Sequence, residues 1–147
     1  MKGQAYLPMI VNRQHAPQLP DELRASLADS WERFVEVSTD AGFEVPRNQD
    51  FITSMLRVWA GSEFVARTCL DKPAVLFDFL SDGCLLADYA AGEYRRKLAH
   101  VLKDVCDAND LGRRLRAFRQ QEMVRIAWRD LAGWAPLNEV LHDLSAL

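Results

Sequence analysis

The sequence predicts an all-α fold, an antiparallel array of about six or seven helices. Three observations carry this expectation. Apolar residues recur at steps of three and four along most of the chain. The connections between these periodic runs are short and marked by proline, glycine and helix-capping residues. No stretch shows the sustained alternation of a half-buried strand, and no internal repeat of fixed period is present.

Residues 1–18 hold Pro8 and Pro17 and little periodicity, so they read as an extended arm docked through Tyr6, Leu7 and Ile10. A helical region then fills residues 19–147. Pro20 suits the first turn of a helix, with Asp21 and Glu22 at its positive end. Leu23, Leu27, Trp31, Phe34 and Val35 form its stripe, Gly42 caps it and Pro46 stops it. A second helix starts near Asn48, carries Phe51, Ile52, Met55, Leu56 and Trp59, and breaks at Gly61. Ser62 is a good N-cap for a third, SEFVARTCLDK. Pro73 fits the first turn of a fourth, PAVLFDFLSDG, closed by Gly83. A fifth runs roughly from Glu93 to Asp107, with Tyr94, Leu98, Val101, Leu102 and Val105 on one face. Asn109 or Asp110 caps the sixth and longest, which ends near Gly133. Pro136 opens a seventh with Leu137, Val140, Leu141 and Leu144 as its stripe.

A chain of 147 residues fits one domain with a real core. Its 49% hydrophobic and 27% charged residues place it with soluble globular proteins rather than disordered ones. The net charge of −3 argues against a sequence-independent nucleic-acid binder, whose affinity comes mainly from neutralised phosphates. Cys69, Cys84 and Cys106 are odd in number and widely spaced, which suits small apolar thiols in a reducing cytoplasm better than a disulfide framework. His15, His100 and His142 form no zinc-ligand spacing. The start lacks the apolar core of a secretory signal, and no apolar run is long enough to span a bilayer.

The sixth helix is the unusual one. Leu111, Leu115 and Phe118 share a side in its first half, and Glu122, Arg125 and Arg129 continue that line. The apolar residues meanwhile shift to Val124, Ala127, Trp128 and Leu131, with Met123 and Ile126 bridging. A face that widens in this way predicts a second half surrounded by neighbours and a charged stripe partly enclosed. The candidate ion-pair or docking residues are Arg119, Glu122, Arg125, Trp128, Arg129 and Asp130. In the bland reading, Glu122 is neutralised by the flanking arginines and latches the bundle. An exposed pair of this kind contributes only a few tenths of a kcal/mol, whereas breaking an enclosed one costs roughly 3–5 kcal/mol. A nucleic-acid reading competes. Leu111 to Asp130 holds six arginines against two acids, and Trp128 could stack a base. Against it, the arginines spread around the helix and no nucleic-acid-binding motif accompanies them. DANDLG, Asp107 to Gly112, resembles the start of a calcium loop, but Leu111 and Phe118 stand where ligands are needed. Asp104, Asp107 and Asp110 instead cap and solubilise a helix junction. No catalytic or metal-binding residue stands out.

The segment LRAFRQQEMVRIAWRDLAG, with the short helix ending in LSAL, resembles the bifunctional glutamine-synthetase adenylyltransferase/adenylyl-removing enzymes of bacteria. The carrying residues are Leu115, Arg116, Phe118, Arg119, Glu122, Met123, Arg125, Ile126, Ala127, Trp128, Arg129, Asp130 and Leu131. Upstream, WAGSEFVARTCLDKPAVLFDFLSDG is similar to the family's early segment, and the resemblance covers roughly Asp50 to Leu147. It implies a long parent with two nucleotidyltransferase-like halves. One would attach AMP from ATP to a tyrosine of glutamine synthetase, and the other would remove it by phosphorolysis, releasing ADP. A PII-type signalling protein and glutamine would set the balance. Each active site would use a glycine–serine turn and an Asp-x-Asp pair to hold Mg²⁺ and phosphates. This sequence has no Asp-x-Asp pair. The expectation is therefore an N-terminal helical part of the adenylyl-removing half, cut off before its metal site, with no cofactor of its own and inactive alone. Its helices would pack against the adjoining nucleotidyltransferase domain. A free-standing helical adaptor for a protein partner is the alternative.

Overall fold

The computed structural model describes residues 20–147, so the expected N-terminal arm lies outside the described residues. Seven helices follow in order: α1 (Asp21–Asp40), α2 (Gln49–Gly61), α3 (Glu63–Asp71), α4 (Pro73–Asp82), α5 (Glu93–Val101), α6 (Ala108–Leu131) and α7 (Leu137–Ala146). No strand occurs among the described residues.

Local chemistry sets most of the boundaries. The Asn48 side chain accepts from the Asp50 and Phe51 amides at 2.8 and 3.2 Å and starts α2. Ser62 ends α2 and caps α3 by accepting from the Val65 amide at 3.3 Å. Gly61 is the last residue of α2. A Cβ there would lie 3.0 Å from the Leu131 side chain, so glycine allows the end of α2 to approach the end of α6. Gly83, at φ 70°, stops α4 in the left-handed conformation that only glycine adopts without strain.

The junction between α5 and α6 departs from the sequence reading. α5 ends at Val101 rather than running on to Asp107, and the cap of α6 is Asp107 rather than Asn109 or Asp110. The Asp107 carboxylate accepts from the Asp110 amide at 2.7 Å. Asp104 takes φ 59° in the turn between. The physical reason lies in α6. One guanidinium nitrogen of Arg114 donates to the carbonyls of Val101 and Lys103 at 3.0 and 2.9 Å, satisfying acceptors that an ending helix leaves open. The expectation that the aspartates cap this junction holds for Asp107. Asp110 serves there too, accepting from the Cys106 amide and pairing with Arg113 and Arg114.

The core lies among α1–α4 and the second half of α6. Phe34, Met55, Val58, Val65, Cys69, Leu76, Phe79, Leu85, Val124 and Trp128 are its fully enclosed members, with Phe51 and Trp59 almost so. Phe34 stands edge-on to Trp59 with centroids 5.5 Å apart, and Phe51 stacks on Trp128. α5 and α7 make their main contacts with α6. α7 departs from its expected stripe. Of Leu137, Val140, Leu141 and Leu144, only Val140 is buried. No helix among the described residues is long and apolar enough to cross a membrane.

Candidate functional site

α6 divides as its sequence predicts. Its first half is mostly exposed, apart from Phe118. Its second half buries Glu122, Val124, Arg125, Ile126, Trp128 and Arg129. Three of these are charged, and Arg125 is among the largest fully enclosed side chains of the protein. A charge so placed must be paired and hydrogen-bonded, or the fold loses several kcal/mol.

Each of the three guanidinium nitrogens of Arg125 has a partner. Its Nε donates to the Cys84 carbonyl at 2.9 Å, one terminal nitrogen to Asp143 Oδ2 at 2.9 Å, and the other to the Ala87 carbonyl at 2.5 Å. The guanidinium carbon lies 3.4 Å from the centroid of the Tyr89 ring, in stacking contact. One turn on, Arg129 Nε donates to Glu139 Oε1 at 2.7 Å and its Nη1 to the Leu85 carbonyl at 3.1 Å. Arg125 and Arg129 are four residues apart on α6, and Glu139 and Asp143 four apart on α7. The two pairs therefore form a two-rung ladder between antiparallel helices. The same guanidiniums collect three carbonyls from the connection 83–92, whose Leu85 is sunk in the core. An irregular segment has no helix ladder to satisfy its carbonyls, and the arginine fork meets that need.

Glu122 sits at the edge of this cluster. The Tyr89 hydroxyl donates to its Oε1 at 3.3 Å, and Lys97 Nζ from α5 lies 3.9 Å from the same oxygen. Lys97 also stands 5.0 Å from the centroid of the Tyr89 ring. Oε2 has no hydrogen-bond partner among the described residues. Burial is the largest influence on Glu122 and pushes its pKa above the usual carboxylate range; the charges of Lys97 and Arg125 and the Tyr89 hydrogen bond oppose it. Burial raises the Tyr89 hydroxyl as well, with the Glu122 charge adding to it. A cleft of about 420 Å³ opens beside Glu122, lined by Cys84, Lys97, His100, Phe118 and Gln121 among others.

The six candidate residues thus separate. Glu122, Arg125, Trp128 and Arg129 are buried, whereas Arg119 and Asp130 are exposed. No ion pair joins Arg119 to Glu122 among the described residues, and Glu122 is met by Lys97 and Tyr89 rather than by its neighbours along the helix. Trp128 is enclosed, donates from its indole to Ser54 Oγ at 3.3 Å, and presents no ring to a base. The partners that sequence reasoning missed are Asp143, Glu139, Tyr89, Lys97 and the carbonyls of Cys84, Leu85 and Ala87. All lie outside α6, most of them distant in sequence, and only the i,i+4 spacing of Glu139 and Asp143 hinted at a match. Among the described residues, no three or more His, Cys, Asp or Glu side chains gather where they could hold a metal ion.

Residues 52–147 match the family described as glutamate-ammonia ligase adenylyltransferase. The chain is similar to the bifunctional glutamine synthetase adenylyltransferase/adenylyl-removing enzyme of Nitrosococcus oceani, at 38% identity over 130 residues. That alignment takes in 88% of this chain and 13% of the relative. The enzyme of the same description from Thioalkalivibrio sulfidiphilus is 38% identical over 129 residues, again 88% of the chain and 13% of the relative. That of Pseudomonas aeruginosa is 45% identical over 91 residues, 62% of the chain and 9% of the relative. The chain thus spans roughly an eighth of the length of the first two. No solved structure matches.

Proposed function

The chain belongs to the glutamate-ammonia ligase adenylyltransferase family, and we propose that it is a non-catalytic helical part of an enzyme that regulates glutamine synthetase. The larger enzyme would adenylylate a tyrosine of the synthetase and remove the AMP by phosphorolysis, acting in the cytoplasm under a PII-type signalling protein. Within it, this segment packs against a nucleotidyltransferase domain and fixes one wall of the substrate groove.

The carrying observation is that the charged groups of α6 that look most functional are already spent. Arg125 and Arg129 donate to two carboxylates and three carbonyls inside the fold, and both side chains are buried, which supports a structural rather than a phosphate-binding role. The reading without a Mg²⁺ site is supported by the lack, among the described residues, of any group of three or more His, Cys, Asp or Glu side chains placed to hold a metal ion. The buried acids Glu122 and Asp143 and the half-buried Glu139 are each met by a cation of this chain. No reaction step is therefore assigned to these residues. The ladder serves instead to hold α7 and the 83–92 connection rigidly on α6, which is what a wall needs.

The test is direct. The 147-residue chain, mixed with adenylylated glutamine synthetase, inorganic phosphate and Mg²⁺, should release no ADP. Exchanged for the corresponding segment of the Nitrosococcus oceani relative, it should support both activities of that enzyme. ADP release by the chain alone refutes the non-catalytic reading. A folded but inactive chimaera refutes the family role.

A further inference from the structure

α7 is an amphipathic helix mounted with its apolar side outward. Glu139 and Asp143 face α6 and are held there by Arg129 and Arg125 at 2.7 and 2.9 Å. Leu137, Leu141 and Leu144, at i, i+4 and i+7, are 71%, 55% and 46% exposed. This reverses the usual arrangement, in which the apolar stripe goes in and the acids come out. The ion-pair ladder fixes the reversal, because turning the leucines inward would take two carboxylates from their cations and leave both arginines with carbonyl partners alone.

We infer that the leucine face of α7 is a docking surface for an apolar face elsewhere in the same long polypeptide. The inference rests on the functional reading above and names the surface through which it acts. Three observations select this occupant. The first two relatives carry about seven-eighths of their length outside the matched segment, so in such a protein a partner is tethered close by at high effective concentration. The patch is small. Three partly exposed leucines fall far short of the ~800 Å² per partner that a stable free-standing interface buries, which disfavours a second copy. On α7 itself no acid, lysine or arginine borders the leucines. Asn138 and Ser145 flank them on one side, with His142 beyond, and Val140 and Leu147 on the other, while both acids of α7 face the arginines of α6. A helix face that sets no fixed charge beside its leucines suits internal packing better than the steered encounter of separate proteins.

The experiment compares one triple substitution in two contexts: Leu137→Gln, Leu141→Gln and Leu144→Gln together. In the 147-residue chain the variant should melt within about 2 °C of the parent, and both should be monomers by light scattering. In the full-length Nitrosococcus oceani relative carrying this chain in place of its matched segment, the same variant should lower the melting temperature by about 5 °C or more and hasten proteolysis of α7. Equal effects in the two contexts overturn the docking surface and leave the functional reading standing. A variant that unfolds the 147-residue chain overturns it too, because the leucines would then belong to this segment's own core. A parent that dimerises through these leucines makes a second copy the occupant and overturns it likewise. A chimaera with native leucines that folds but is inactive counts against the functional reading and removes this one with it.

Discussion

Replacing Arg125 by methionine keeps most of the side-chain volume and removes the charge. It leaves Asp143 buried without its cation and takes the donors from the Cys84 and Ala87 carbonyls. Removing one member of a buried pair costs roughly 3–5 kcal/mol, because the survivor keeps its desolvation penalty. Against a total stability of about 5–15 kcal/mol, that is a large share. For a chain of this size it corresponds to a drop on the order of 10 °C in melting temperature. Urea denaturation followed by tryptophan fluorescence and by circular dichroism measures the loss. The mechanism also makes a second demand. Arg125→Met with Asp143→Leu should recover much of the loss, since an apolar pair of similar volume carries no orphaned charge. A cost below about 1 kcal/mol for the single variant, or no recovery in the double, refutes the reasoning.

Other predictions follow from the same cluster and its surroundings. Burial lifts the pKa of Glu122 above its unfolded value, so its contribution to stability is fully present below the ordinary carboxylate pKa and is lost as pH rises through the raised one. Glu122→Gln cannot titrate, so its stability relative to the parent should improve as pH climbs through that window; a difference flat with pH contradicts this. Arg114→Ala should speed hydrogen exchange of the amides that close α5, those of Leu102 and Lys103, and leave the core amides unchanged. Exchange slowing or spreading evenly through the protein would be the wrong result. Pulsed alkylation should label exposed Cys106 first, whereas Cys69, buried and with its thiol pushed up to about 12, should react only on unfolding. Equal labelling of the two in native buffer contradicts the core assignment.

Much of this fold is legible because its signals are local. Asn48, Ser62, Pro73 and Gly83 each set a boundary through atoms within a few residues. The enclosed second half of α6 is legible for the same reason, since the apolar residues migrate around the helix axis where neighbours close in. The partners of the enclosed charges are not legible, because each lies on another helix or connection, most of them at long sequence separation. Arg125 reaches Asp143, 18 residues away, and the Cys84 carbonyl, 41 away. The overrun of α5 has a similar cause. Val101, Leu102 and Val105 continue a helical pattern, and what ends the helix is a guanidinium arriving from α6. α7 misleads most. Its leucine stripe reads as a core face, and it is displaced outward because two charge pairs outrank it for the contact with α6.

Arg125 and Arg129 are structural donors turned into the fold, and nuclear magnetic resonance of their guanidinium Nε–H groups tests this most directly. Arg125 Nε–H is bonded to the Cys84 carbonyl and Arg129 Nε–H to Glu139. Given this structural role, two resolved Nε–H signals should exchange slowly with water, persist where those of exposed arginines have vanished, and stay in place when inorganic phosphate or Mg²⁺–ATP is added. Rapid exchange at these two positions, or shifts that saturate with phosphate, would show open arginines awaiting a ligand and would contradict it.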